Sequence, residues 1–264
     1  MTTFKIRSWF GRLGNNIVQL RNAILLGLYY NYNISFPMHH FFNKTFIQLN
    51  NDILNMNDYL VDNEGLEFFS KNSITKYSKE AFDQNHEKMQ DILMNLFTID
   101  YKSLTKLDEN DVVIHIRSGD IFMSSLNDDY IVPPLSYYVE ILESNKFNKI
   151  YLISEDDLNP CIPALIKLYP NIIHNKNSLE EDIKLVLRSQ NIITSFGTFV
   201  PFLMYFTRYT KSYYQINWLV EPPKLPNLNV NIIDYTDFKN KIDKWRNTTE
   251  QYKLLLNYTK VIVD

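Results

Sequence analysis

Between Asp111 and Phe206 the chain alternates short apolar runs with segments of helical period, and few folds accept that pattern. The apolar runs stand at Val112–Arg117, Ile150–Ser154, Ile172–His174 and Ile192–Thr194. Helices are expected in PLSYYVEILESN, near Pro163–Leu168, over Leu179–Ser189 and beyond Phe199. Strand and helix alternating at this spacing imply βαβ units and a parallel sheet, so the fold class is α/β.

The region before it has a different texture. Phe4–Phe10 reads as a short extended segment. In IVQLRNAILLGLYY, residues Ile17, Leu20, Ile24, Leu25 and Leu28 form one stripe of an amphipathic helix. ISFP, residues 34–37, reads as a second strand closed by Pro37, and residues 43–100 are polar and irregularly helical, with the best periodicity from Lys88 to Phe97. Beyond the alternating region, EPPKLPNL at 221–228 is a connector that no helix interior accommodates, and one last helix is expected over Thr236–Leu256.

The first of the apolar runs raises the functional question. VVIHIRSGDIF begins as a core strand and ends in His115, Arg117 and Asp120. In an open parallel sheet ligands sit outside the carboxyl ends of the strands, where strand order reverses. SEDD (Ser154–Asp157) ends the next run and TSFGTF (Thr194–Phe199) ends another, so three chemically active stretches converge on one rim. Each also has a plain structural reading: Arg117 as the ion-pair partner of Asp120, TSFGTF as a helix cap, SEDD and NDDY (127–130) as solvated acidic turns or divalent-cation ligands. Taken together, an arginine beside a hydroxyl-bearing turn that feeds a helix describes an anion site. GRLGNN, residues 11–16, is a glycine turn before a helix without the spacing of a dinucleotide fingerprint and without the lysine of a P-loop.

Charge and composition narrow the partners. A net charge of −3 gives no general attraction to nucleic acid or to an anionic membrane, so an anionic ligand must be held by local groups. The one cysteine, Cys161, excludes an internal disulfide. No stretch approaches the ~20 apolar residues that span a bilayer, and a soluble, cytoplasmic protein without a transmembrane segment is expected. The four Asn-x-Ser/Thr matches, at Asn33, Asn43, Asn247 and Asn257, are then chance matches in an Asn-rich chain.

GRLGNNIVQ, HIRSGDIF followed by PPLSYYVEIL, YLISEDD, and EEDIKLVLRSQNIITSFGTF occur in an order that resembles the fucosyltransferase superfamily with the His-x-Arg motif, most closely the α1,2-type. Asn16, Glu155 and Gly197–Thr198 depart from that type's usual residues. The resemblance implies a GT-B architecture of two Rossmann-like domains facing a cleft. It divides the chain into an acceptor-side domain over 1–105, a nucleotide-sugar domain over 106–222, and a connector with a final helix over 223–264 that packs back toward the first domain. It also implies an inverting, metal-independent transfer of fucose from GDP-fucose to a glycan hydroxyl, with no cofactor. Arg117 would contact the diphosphate and His115 would lie beside the nucleotide, with Asp120 and Gly14 among the donor-binding residues. Asp182 would read the guanine edge, and Ser195, Phe196 and Thr198 would line the phosphate and base pocket. Asn15 would reach toward the sugar. Another nucleotide sugar, or a non-catalytic carbohydrate-binding descendant, remains the alternative. A nucleotide-dependent oxidoreductase would want a glycine-rich first βα turn that GRLGNN does not supply.

Overall fold

A computed structural model of the chain describes residues 3–49, 85–123, 127–219, 225 and 227–260. Most of the 221–228 connector and much of the 43–100 segment lie outside the described residues. The chain falls into two compact units, residues 1–103 with 202–206, and residues 104–201 with 207–264.

In the N-terminal unit, strands β1 (Thr3–Lys5) and β2 (Asn33–Ser35) pair in parallel, and β3 (Phe46–Ile47) adds antiparallel to β2. Helix α1 (Leu13–Tyr30) joins β1 to β2 and ends on Asn31 in the left-handed conformation, which asparagine tolerates better than most residues. The helix begins ahead of the expected apolar stripe, because Leu13 to Asn16 form its first turn. Ile17, Leu20, Ile24 and Leu25 are fully buried. Helix α2 (His86–Leu96) packs on α1. Residues 202–206 complete this core, with Phe206 stacked 4.1 Å from Phe97 and Tyr205 O accepting from Gln90 Nε2 at 3.1 Å.

The C-terminal unit is built on a six-stranded sheet. Its strands are β4 (Val112–His115), β5 (Ile150–Ile153), β6 (Ile172–His174), β7 (Asn191–Ile193), β8 (Ser212–Ile216) and β9 (Asn229–Ile233). They run in the order β6-β5-β4-β7-β8-β9, and every pairing is parallel. Counted from β4, this is the 3-2-1-4-5-6 order of doubly wound sheets, and the direction of winding reverses between β4 and β7. Helix α3 (Leu135–Ser144) follows β4, α4 (Cys161–Leu168) follows β5, α5 (Leu179–Arg188) follows β6 and α6 (Phe199–Leu203) follows β7. One core gathers Val112, Ile114, Leu152, Ile193 and Ile216 with Tyr137, Tyr138 and Ile141 of α3 and Ile162 and Leu165 of α4.

The C-terminal segment departs from expectation in its helix. The single helix over Thr236–Leu256 is two, α7 (Thr236–Ile242) and α8 (Thr249–Asn257). Between them Asp243 and Asn247 take positive φ (58° and 57°), and a Thr248–Gln251 capping box starts α8 afresh. The break buries Trp245 completely, its Nε1 donating to Ile121 O at 2.7 Å. The described part of residues 223–264 groups with the C-terminal unit, where β9 closes the sheet and α8 packs on α3 and α4.

Candidate active site

The parallel register brings the carboxyl ends of β5, β4 and β7 side by side, so the three stretches singled out in the sequence share one rim. Side chains two apart in an extended strand face the same way. The ladder continues past β4 through Ile116 N–H to Ile153 O at 3.0 Å, and carries His115 and Arg117 toward the reversal point. His115 is only 8% exposed, its ring 5.5 Å from that of Phe199, and its Nδ1 is buried without a hydrogen-bond partner. Burial, and then the Arg117 charge, push its pKa down to about 3, so it is a neutral imidazole at ordinary pH and a very weak base.

Arg117 is held between two carboxylates. Its Nη2 pairs with Asp120 Oδ1, and its Nη1 stands 3.9 Å from Glu155 Oε2, beyond hydrogen-bond reach. Gly119 sets this arrangement: its φ is +75°, and a Cβ there would overlap the Glu155 carboxylate. Gly119→Ala is therefore expected to cost about 1 kcal/mol from the left-handed backbone, lowering the melting temperature by a few degrees, and to swing Glu155 away from Arg117. An unchanged melting temperature would show that the turn relaxes without strain.

The turn after β4 rests on the segment after β5. Asp156 Oδ1 accepts from Ser118 Oγ and from the N–H groups of Gly119 (3.1 Å) and Leu158 (3.0 Å). Asn159, fully buried, donates through Nδ2 to Arg117 O at 2.9 Å and accepts through Oδ1 from Cys161 N–H at 2.9 Å, in the first turn of α4. Burial raises the Asp156 pKa, but the bonds from Ser118, Leu158 and Gly119 and the Arg117 charge outweigh it and hold the carboxyl below its usual range. Sequence reasoning singles out neither Asp156 nor Asn159. By itself SEDD reads as a solvated or metal-binding turn, and the Arg117 carbonyl that Asn159 meets lies 42 residues earlier.

At the end of β7, Ser195 is fully buried, while Phe196, Gly197 and Thr198 are half-buried and supply the surface of the turn. Phe196 lies 5.5 Å from Tyr130, and Gly197 has φ +116°. The Tyr137 hydroxyl donates to Thr194 O (3.0 Å) and Tyr214 O (3.2 Å), tying this turn to α3 and β8. The helix expected after it is short: α6 has five residues and passes into a 3-10 turn over Met204–Phe206. Its macrodipole is correspondingly small, and an anion at this turn would be met by individual backbone N–H groups.

Asp182 stands in the first turn of α5, at the β6 end of the rim. At ~4.8 Å per strand, β6 lies about 10 Å from β4. The Asp182 carboxylate is half-buried, accepts from Asn177 Nδ2 at 3.0 Å, and is pushed up by burial. Nearby, His174 Nε2 is 3.1 Å from Ser154 Oγ and 3.8 Å from Asp157 Oδ1, so His174 belongs to the rim.

Gly14 and Asn15 lie in the first turn of α1, in the N-terminal unit. The glycine that approaches another group closely there is Gly11 (φ +66°), whose Cβ would overlap the Asn15 amide. Asn16 is structural: its Nδ2 donates to Phe10 O at 2.9 Å, and its Oδ1 lies 3.1 Å from His39 Nε2.

Of the acidic stretches considered for a cation, Glu155 faces Arg117, Asp156 is committed to the turn, and Asp128 pairs with Arg246 and Lys244. No group of three or more His, Cys, Asp or Glu among the described residues is arranged to hold a metal ion.

No family model matches the chain, and no curated protein does. Solved structures similar to it include the α-1,6-fucosyltransferase NodZ soaked with GDP-fucose, with 9% identity, a TM-score of 0.46, and 82% of this chain and 95% of that one covered. POFUT1 in complex with GDP-fucose has 10% identity and a TM-score of 0.45, over 88% and 97% of the two chains. The fucosyltransferase NodZ from Bradyrhizobium has 11% identity and a TM-score of 0.41, over 79% and 93%. No helix among the described residues is long and apolar enough to cross a membrane.

Proposed function

We propose that the chain is an inverting glycosyltransferase that transfers fucose from GDP-fucose to a glycan hydroxyl without a metal ion. The observation that carries the reading is the position of Arg117. It lies two residues past the end of β4, the strand at which the winding of a doubly wound sheet reverses, where such sheets bind nucleotides. The four sequence blocks that resemble the α1,2-type supply the donor and the acceptor class.

Breaking a glycosyl–phosphate bond leaves an oxocarbenium-like sugar and a diphosphate gaining negative charge. Donors already aimed at that diphosphate stabilise the transition state more than the ground state. Arg117 offers a planar fork, and the turn Phe196–Thr198 that follows β7 stands beside it along the rim. A phosphate oxygen approaching Nη1 displaces an ion-pair contact from Glu155, not a hydrogen bond. His115, neutral, gives the nucleotide a hydrogen-bonding ring and takes no proton from the acceptor. Asp182, about two strand spacings along the rim, accepts from guanine N1–H and its amino group. Ser195 supports the phosphate turn from behind, and Asp120 orients Arg117.

One observation favours the non-catalytic alternative. The stretches ending β4 and β5 carry Asp120, Glu155, Asp156 and Asp157 against a single cation, Arg117, already paired to Asp120. A diphosphate must compete with those carboxylates, whereas a structural ion pair needs nothing more.

A thermal-shift panel of GDP-, UDP-, dTDP- and CDP-sugars separates the readings. GDP-sugars are expected to raise the melting temperature most, because uracil presents one N–H donor to Asp182 where guanine presents an N–H and an amino group. Asp182→Ala should flatten that preference. A largest shift with UDP-sugars would overturn the base assignment, and no shift with any of them would overturn the enzyme reading.

A further inference from the structure

The Arg117 guanidinium is flanked by Asp120 and Glu155, but its backbone is fixed by other residues. Asn159 commits three polar atoms to this region, with Nδ2 on Arg117 O (2.9 Å), its own N–H on Ser118 Oγ (3.0 Å), and Oδ1 on Cys161 N–H (2.9 Å). Asp156 gathers Ser118 Oγ–H, Gly119 N–H and Leu158 N–H on one oxygen. Ser118, 1% exposed, links the two by donating to Asp156 and accepting from Asn159. The turn Arg117–Gly119 is thereby bolted to the start of α4, although Ser118 and Asn159 stand 41 residues apart in sequence.

We propose that Asp156 and Asn159 are positioning residues for Arg117, fixing where its guanidinium stands at the β4–β7 crevice. The proposal rests on the reading of Arg117 as the group that meets the leaving diphosphate. Gly119 has left-handed φ, and a turn of that kind has little local preference to hold an arginine stem in one direction. The carboxylate of Asp156 and the amide of Asn159 supply that direction from the connection between β5 and α4. Neither need touch the ligand; a displacement of about 1 Å at a reacting group is enough to cost up to about 10²-fold in rate.

Asp156→Ala and Asp156→Asn test this, since Asp156 lies in a half-exposed connection and both variants should fold. In ligand-free protein, the Arg117 Nε–H signal in nitrogen-15 NMR, assigned by its loss in Arg117→Lys, reports the guanidinium directly. It is expected to shift or broaden in Asp156→Ala and to return toward its wild-type position in Asp156→Asn, which keeps an acceptor at Oδ1. Release of GDP from GDP-fucose should fall by up to about 10²-fold in kcat for the alanine variant, with KM changed less than about threefold, and asparagine should recover most of the loss. An Arg117 signal unmoved in a folded Asp156→Ala protein would overturn the proposal, as would a rate loss that only follows the folded fraction. If the wild-type protein does not turn over GDP-fucose, the proposed function fails, and the NMR signal alone decides whether Asp156 positions Arg117.

Discussion

Arg117→Lys is expected to fold normally and to lose on the order of 10²–10³ in turnover. The lysine ammonium can still pair with Asp120, so the ion pair survives. It cannot reproduce the planar fork that meets two phosphate oxygens at once, and removing one preorganised donor to a developing anion has this scale of effect. Stability should barely change even in Arg117→Ala. Asp120 and Glu155 are each 43% exposed, so their pairing with Arg117 contributes no more than the ~0–1 kcal/mol of a solvated ion pair. Turnover and melting temperature measured on the same samples separate the two roles. A lysine variant with near-normal turnover would leave Arg117 as the structural partner of Asp120.

The second large effect lies in acid stability. His115 is buried as a neutral ring with its pKa pushed down to about 3, while in the unfolded chain it titrates near its ordinary value of about 6.5. The unfolded state therefore binds the extra proton first. The stability associated with the neutral ring is fully present above about pH 6.5 and is lost as pH falls toward about 3, at about 1.4 kcal/mol per unit. That sums to on the order of 5 kcal/mol, comparable with the whole stability of many domains. Thermal unfolding followed from about pH 7 to about pH 4 should show a steep fall in melting temperature, and His115→Asn should flatten it. Asp156 acts lower: its carboxyl is held below the usual range, so its contribution is present above about pH 4 and disappears only below that. A wild-type profile flat between about pH 6.5 and about pH 5 would mean that His115 protonates without opening the core.

The contrast between what the sequence disclosed and what it hid has physical causes. The β4 strand is legible because a run of buried aliphatic residues ends abruptly in charge. The parallel sheet is legible because strand and helix alternate. Strands β8 and β9 escape recognition: SYYQI and NVNII mix Tyr, Gln and Asn into their apolar positions, and β9 is a half-exposed edge. The final helix reads as continuous because its apolar spacing nearly carries through the break. Asp243 and Asn247, residues that tolerate left-handed backbone, are the local sign of it. Ser195 is fully buried, and its turn is tied down by Tyr137, a helix residue 57 positions before Thr194, a contact that no local pattern discloses. Asp156 and Asn159 escape for the same reason, since their partners after β4 are distant in sequence and nothing in SEDDLN reveals them.

If the crevice at the β4–β7 reversal cleaves a sugar–diphosphate bond with protein donors alone, water can stand in for the unknown glycan. Purified protein in excess EDTA is incubated with GDP-fucose, and released GDP is counted against time. Slow, protein-dependent GDP release is expected, undiminished by EDTA and reduced on the order of 10²–10³-fold by Arg117→Lys. Release that stops in EDTA and returns with Mn²⁺, or no release above the protein-free rate, would refute cleavage by Arg117 and its neighbouring N–H groups.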